Sequence, residues 1–258
     1  MGFESGAVRE VLLYAGVGFL AQLIDGILGM AGGVSATTFL LSAGVAPTLA
    51  SASVHIASLF TTGVSGLAHL GFGNVDRRVF RRLVLPGAAG GALGALALTT
   101  FATDFIQPFV ALYLLVMGAR IVWKATSKFE KSANPLGKWI LPLGALGGFF
   151  DALGGGGWGP IVTSTLVANG ATPHTTIGSV NFAEVFVTVA EAVVFVGVMR
   201  HALLPSWQVI LGLLIGGVIA APLGAYLCKR MPTRVLMGVV GAAIVLLSLR
   251  TILMAWGG

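Results

Sequence analysis

Gly154-Gly155-Gly156-Gly157-Trp158-Gly159-Pro160 interrupts an apolar run over 139–168, and Gly29-Met30-Ala31-Gly32-Gly33 interrupts another over 11–43. Four consecutive glycines do not stay helical, because each costs about 1 kcal/mol relative to alanine. Nor is either run a simple span. The 33 residues of the first would extend about 50 Å as one helix, against a hydrocarbon core of about 30 Å. Both segments read as broken helices.

The sequence around the breaks says what solvent they sit in. Of 258 residues, 56% are apolar and 9% charged, and the mean hydropathy is +0.96. A soluble domain carries about 25% charged residues, and no single core of this length hides so much apolar surface. The remaining solvent is lipid. Further apolar stretches run over 49–72, 83–101, 106–123, 175–199, 207–227 and 235–256. They are long and continuous, unlike the alternating ten-residue segments of a β-barrel. The fold class is therefore an all-α polytopic membrane protein, which excludes soluble enzymes, disordered scaffolds and a nucleic-acid partner. Trp123, Trp139, Trp207 and Trp256 stand at segment ends, where interfacial anchors belong. The single cysteine, Cys228, rules out a disulfide framework or thiol metal cluster. The opening residues do not read as a cleaved signal: Glu4 and Glu10 accompany Arg9, and no small-residue cleavage site closes a short apolar core.

Eleven of the fifteen Lys and Arg residues fall in three expected loops. These hold Arg77, Arg78, Arg81 and Arg82; then Lys124, Lys128, Lys131 and Lys138; then Lys229, Arg230 and Arg234. If all eight segments crossed, the third cluster would lie opposite the first two. If the broken segments are re-entrant hairpins and six others cross, all three clusters share the cytoplasmic side, as the positive-inside rule prefers. A kinked full crossing is the alternative.

A shift of 126 residues aligns Asp25–Gly71 with Asp151–Gly197 without a gap, giving thirteen identities in 47 positions. They include Asp25/Asp151, Gly29/Gly155, Gly33/Gly159, Thr37/Thr163, Gly44/Gly170, Pro47/Pro173, Ser53/Ser179 and Thr62/Thr188. The chain thus divides into a first repeat over 1–123, a basic cytoplasmic linker over 124–138 and a second repeat over 139–258. Each repeat has one broken segment and three spanning helices. An odd number of crossings per half makes the tandem pseudo-symmetric repeats inverted, and interrupted helices at matching positions point to a transporter site between them.

Aspartate before a glycine break, then a small-residue helix and a Gly-x-x-Pro turn (Gly44-Val45-Ala46-Pro47 and Gly170-Ala171-Thr172-Pro173), resembles the sulfite exporter TauE/SafE family. The resemblance covers nearly the whole chain. It implies a multi-pass protein of the bacterial inner membrane that moves sulfur-containing or carboxylated anions such as sulfite and sulfonates.

The residues suggest how an anion would be held. New half-helices must start near Gly33 or Val34 and at Pro160, and their first N–H groups are unpaired donors at the positive end of the helix dipole. Gly32, Gly33, Gly156, Gly157, Trp158 and Gly159 are therefore candidate substrate-binding positions, although glycines also serve tight helix packing. Asp25 and Asp151 precede the breaks and either cap them or carry protons. His55, Ser58, Thr62, Ser65 and His69 recur on one face of a helix, and Asn181, Glu184, Thr188 and Glu191 on the matching face. His55, Ser53, Ser58, Ser179 and Asn181 are candidate ligand donors, and Glu184 and Glu191 candidate proton carriers or interhelical hydrogen-bonding groups. His174 and His201 read as solvated loop residues.

The expected function is a secondary transporter, possessing no catalytic residue, cofactor or metal, acting on a small anion within the lipid bilayer. A passive anion channel and an intramembrane enzyme are the rivals. No Gly-x-x-x-x-Gly-Lys-Ser/Thr loop, His-Glu-x-x-His pair or Gly-x-Ser-x-Gly elbow occurs. A homo-oligomer is compatible with the sequence.

Overall fold

Long apolar runs punctuated by glycine and proline fold into helices whose ends the turn residues set. The computed structural model describes residues 2–71, 73–100, 103–127, 137, 139–163, 165–166, 169, 171, 173–227 and 232–256. Nine α-helices are described: α1 (Gly2–Leu28), α2 (Gly32–Ser42), α3 (Pro47–Gly71), α4 (Arg77–Thr100), α5 (Thr103–Thr126), α6 (Ile140–Gly154), α7 (Pro173–Leu203), α8 (Trp207–Leu227) and α9 (Thr233–Trp256). Among the described residues there is no strand. Five helices, α1, α4, α5, α7 and α8, are long and apolar enough to cross a membrane.

Both glycine runs break the helix. The first leaves α1 through Gly29 at φ 61° and Ala31 at φ 78°. The second ends α6 at Gly155, φ 68°, whose αL conformation lets Gly156 donate back to the Asp151 carbonyl at 3.1 Å. The restart differs from the expectation in the second half. Gly159–Thr163 form a π-helical turn rather than the first turn of an α-helix.

Several boundaries move outward. Helix α1 begins at Gly2 instead of near residue 11. The first basic cluster is helical, not loop: the Asp76 carboxylate accepts the N–H of Arg78 (2.7 Å) and Val79 (3.3 Å), so α4 starts at Arg77 and carries all four arginines exposed on its first turns. His201 is likewise in the last turn of α7, and exposed. Lys128, Lys131, Lys138, Cys228, Lys229, Arg230, Gly170 and Thr172 lie outside the described residues, as does the side chain of His174.

The packing is inside out relative to a water-soluble protein. Leu12, Leu85, Leu112, Leu146 and Leu253 are more than half exposed, whereas Asp25, His55, Asp151 and Glu191 are buried. Lipid on the outside makes this arrangement favourable, and ionisable groups turn to the protein interior. Trp123 and Trp139, at 71% and 77% exposed, stand at helix ends as anchors do.

Glycine lets the helices approach backbone to backbone. Helices α1 and α8 run parallel, with Gly18 against Leu213 and Gly224 against Gly26; α4 and α6 do the same, with Gly90 against Ala145 and Gly94 against Phe149. Helix α4 is also parallel to α7, through Gly87 against Val187 and Gly91 against Glu191. Helices α3 and α7 are antiparallel, with Gly66 on Phe182 and His55 on Glu191. So are α5 and α9, with Gly118 on Ile244 and Gly241 on Val122. The first part of the chain thus packs crosswise on the last, which brings the two breaks together.

Candidate functional site

The breaks touch. Thr37 Oγ1, on α2, donates to the Gly155 carbonyl at 3.0 Å, and Thr163 Oγ1 donates to the Gly29 carbonyl at 3.2 Å. Both bonds join residues that the 126-residue shift equates, with the halves exchanged. A β-carbon on Gly33 would strike the Gly155 carbonyl, and one on Gly159 would meet Met30. Each threonine satisfies a buried carbonyl of the opposite break. Replacing either by valine is expected to cost about 1–3 kcal/mol, because the carbonyl loses its donor inside a dry site. Thermal unfolding in detergent should show Thr37→Val and Thr163→Val within a factor of two of each other.

The aspartates cap their own restarts. Asp25 accepts a hydrogen bond from the backbone N–H of Gly32, and Asp151 Oδ1 accepts the N–H of Trp158 at 2.8 Å. Both bonds reach seven residues ahead. Asp151 also accepts from the N–H of Gly157, so one amide at the first break and two at the second are taken, and the remaining first-turn amides stay at the contact between the breaks.

Beside this contact lies a cavity of about 40 Å³, room for a few waters or a very small ligand. Of the residues singled out from sequence, Asp25, Gly32, Gly33, His55, Ser58, Thr62, Asp151, Gly155, Gly156, Glu184 and Thr188 line it. The others do not. Ser53 is fully buried behind the wall, and Asn181 is 1% exposed. Gly157 packs on Tyr113, and Gly159 on Met30. Ser179 Oγ accepts the Asp76 N–H and donates to the Thr175 carbonyl, both at 2.7 Å, so it ties α7 to the start of α4. Trp158 is fully buried, its Nε1 donating to the Val180 carbonyl at 3.1 Å.

Glu191 stands one layer back. Its Oε2 lies 2.8 Å from His55 Nδ1, and His55 Nε2 lies 3.2 Å from the Asp151 carbonyl. Stacking on Phe195, at a centroid distance of 5.7 Å, fixes the imidazole plane. The repeat alignment pairs His55 with Asn181 and places Glu191 ten residues away, so this contact had no signal in the sequence. It arises from the antiparallel crossing of α3 and α7. His55, Asp151 and Glu191 offer ligand atoms within 4.8 Å of one another, the nearest approach to a metal-binding set among the described residues. A metal there would displace one of the two contacts that His55 makes.

Gln22 and Thr61 also line the cavity and escaped the sequence reading. The hydroxyls of Thr61, Thr62 and Thr188 are turned to carbonyls of their own helices, at 3.4, 2.6 and 2.8 Å. Toward the cavity they present lone pairs.

A multi-pass helical membrane protein with two broken helices meeting at a buried polar cavity has the anatomy of a transporter. Residues 14–251 match the sulfite exporter TauE/SafE family, and the chain belongs to it. It is 38% identical to the probable membrane transporter protein YtnM of Bacillus subtilis (strain 168), over 96% of this chain and 85% of that one. Both names indicate a membrane transporter rather than an enzyme. No solved structure matches the chain.

Proposed function

We propose that the protein is a secondary transporter that carries a small oxyanion, of the sulfite, sulfonate or small carboxylate class, together with a proton across the bacterial inner membrane. The reciprocal threonine–glycine bonds carry this reading. They hold two helix breaks around one cavity, so that first-turn amides and a buried polar wall meet where a substrate would sit.

The charge of that wall supports the proton. Asp25, Asp151 and Glu184 line it with His55, and among the described residues no lysine or arginine does. An anion about 5 Å from a carboxylate is opposed by about 3 kcal/mol even at an effective dielectric of 20. Protonation removes this opposition. Both ring nitrogens of His55 face oxygen acceptors, an arrangement that a neutral ring and an ionised Glu191 cannot fill with hydrogen alone. The extra proton rests on the ring or on the carboxylate.

Helix directions support inverted repeats with re-entrant first segments. The short turn Leu204–Ser206 between α7 and α8 fits two helices that run oppositely. Given the directions above, α1 then runs parallel to α3, and α6 parallel to α7. These directions favour a break segment that turns back to the side from which it came. Helix α2, eleven residues long, covers about 16 Å and is too short to recross the membrane. In this reading the three basic clusters share the cytoplasmic side, as the positive-inside rule prefers.

Purified protein in proteoliposomes tests the reading. With an imposed pH gradient, radiolabelled sulfite or methanesulfonate is expected to accumulate above its equilibrium level, and an uncoupler should abolish the accumulation. Flux that only equilibrates, whatever the gradient, would instead mark a passive channel.

A further inference from the structure

The cavity lies to one side of the contact between the breaks. Its walls come from α1, α2, α3, α7 and α8 with the tip of α6. The corresponding space on the other side is closed. Gly32 in the first break is matched by Trp158 in the second, and that indole presses on Gly87 and Gly147. Extended backward, the 126-residue shift equates Gly147 with Ala21 and Gly148 with Gln22, and a shift of 130, which pairs Leu93-Gly94-Ala95 with Leu223-Gly224-Ala225, equates Gly87 with Gly217; Ala21 and Gly217 line the open side. A second difference acts the same way. Gln22 lines the cavity, while its counterpart Gly148 lies where a β-carbon would strike the Gly87 carbonyl. No side chain fits there.

Gln22 is 7% exposed, and its Nε2 has no hydrogen-bond partner among the described residues. A buried amide donor without a partner is unfavourable unless something in the adjoining space accepts from it. Around it His55 is committed to Glu191 and the Asp151 carbonyl, and the threonines to their own helices, which leaves the Ser58 hydroxyl and the first-turn amides as further donors. The carboxylates act only as acceptors when ionised, and each gains one O–H donor when protonated.

The geometry points to Gln22 as the side chain that donates to an oxygen of the transported solute, in a binding site that lies on the Gly32 side of the paired breaks, with walls from both repeats, and is closed on the other side by Trp158. The ligand class is a small solute bearing an acceptor oxygen. The inference rests on the transport reading for its substrate and on the cavity for its position. Gln22 binds the solute directly and orients it toward the breaks.

Two substitutions of similar volume, Gln22→Leu and Gln22→Met, test it with two readouts. A donor held for a ligand contributes nothing to the empty protein, so the thermal midpoint in detergent without added solute should stay level or rise for both. Uptake of methanesulfonate into proteoliposomes should fall at least tenfold, mainly through a raised KM. A lowered midpoint in both variants would make Gln22 a structural residue and overturn the inference, as would unchanged uptake. If the wild type moves none of sulfite, methanesulfonate and acetate, the anion reading fails, while the midpoints still decide whether Gln22 is braced within the fold.

Discussion

Gly156→Ala is expected to destabilise the protein by roughly 3 kcal/mol or more and to stop transport. Two costs combine. Gly156 has φ 153°, a conformation essentially confined to glycine, and holding another residue there costs about 1–3 kcal/mol. The added β-carbon would also strike the backbone of Gly33 and Val34 at the tip of the opposite break. Backbone cannot move aside as a flexible side chain can, and overpacking costs a further 1–3 kcal/mol or so. The Thr37–Gly155 bond sits next to the clash and would open with it. Gly63→Ala is the control: nothing lies within 4 Å of that position on α3, so alanine there should leave the midpoint level or slightly higher. Equal stability of the two variants, with uptake intact, would show that the breaks do not bear on one another.

The second large effect is at the histidine–glutamate contact. Glu191 is wholly buried and His55 nearly so, and removing one partner of a buried pair leaves the other unsatisfied. Glu191→Leu is expected to cost about 3–5 kcal/mol. His55→Phe keeps the stack on Phe195 but leaves the carboxylate alone, with a similar expected loss. The double variant should recover much of it, because an apolar pair of similar volume needs no compensation. Chemical or thermal unfolding of all four proteins gives the coupling directly, and a purely additive double variant would deny the pair any energetic link. All three variants should lose gradient-driven uptake.

Composition alone decided the class of this protein. A chain this apolar and this poor in charge has only lipid to face, and glycine runs break helices in any surroundings. The positions of the breaks, and of the aspartates that cap them, were therefore readable one residue at a time. Helix ends were less legible. Arg77 to Arg82 read as a loop because their charge hides a helix that the Asp76 cap begins, and the π-helical turn at Gly159–Thr163 has no pattern of its own.

What the sequence could not decide is which residues meet. Thr37 and Gly155 are 118 residues apart, His55 and Asp151 96, and a polar stripe names a helical face without naming what lies opposite. Crosswise packing of glycine-lined helices chose those partners. It set Glu191 on His55, sent Ser179 to the cap of α4, and left Gln22 facing the cavity while Trp158 filled its counterpart. Local propensity is a property of a few neighbouring residues and survives in the sequence. A cavity is a property of surfaces from distant segments, and exists only once the backbone contacts between helices have fixed how those surfaces come together.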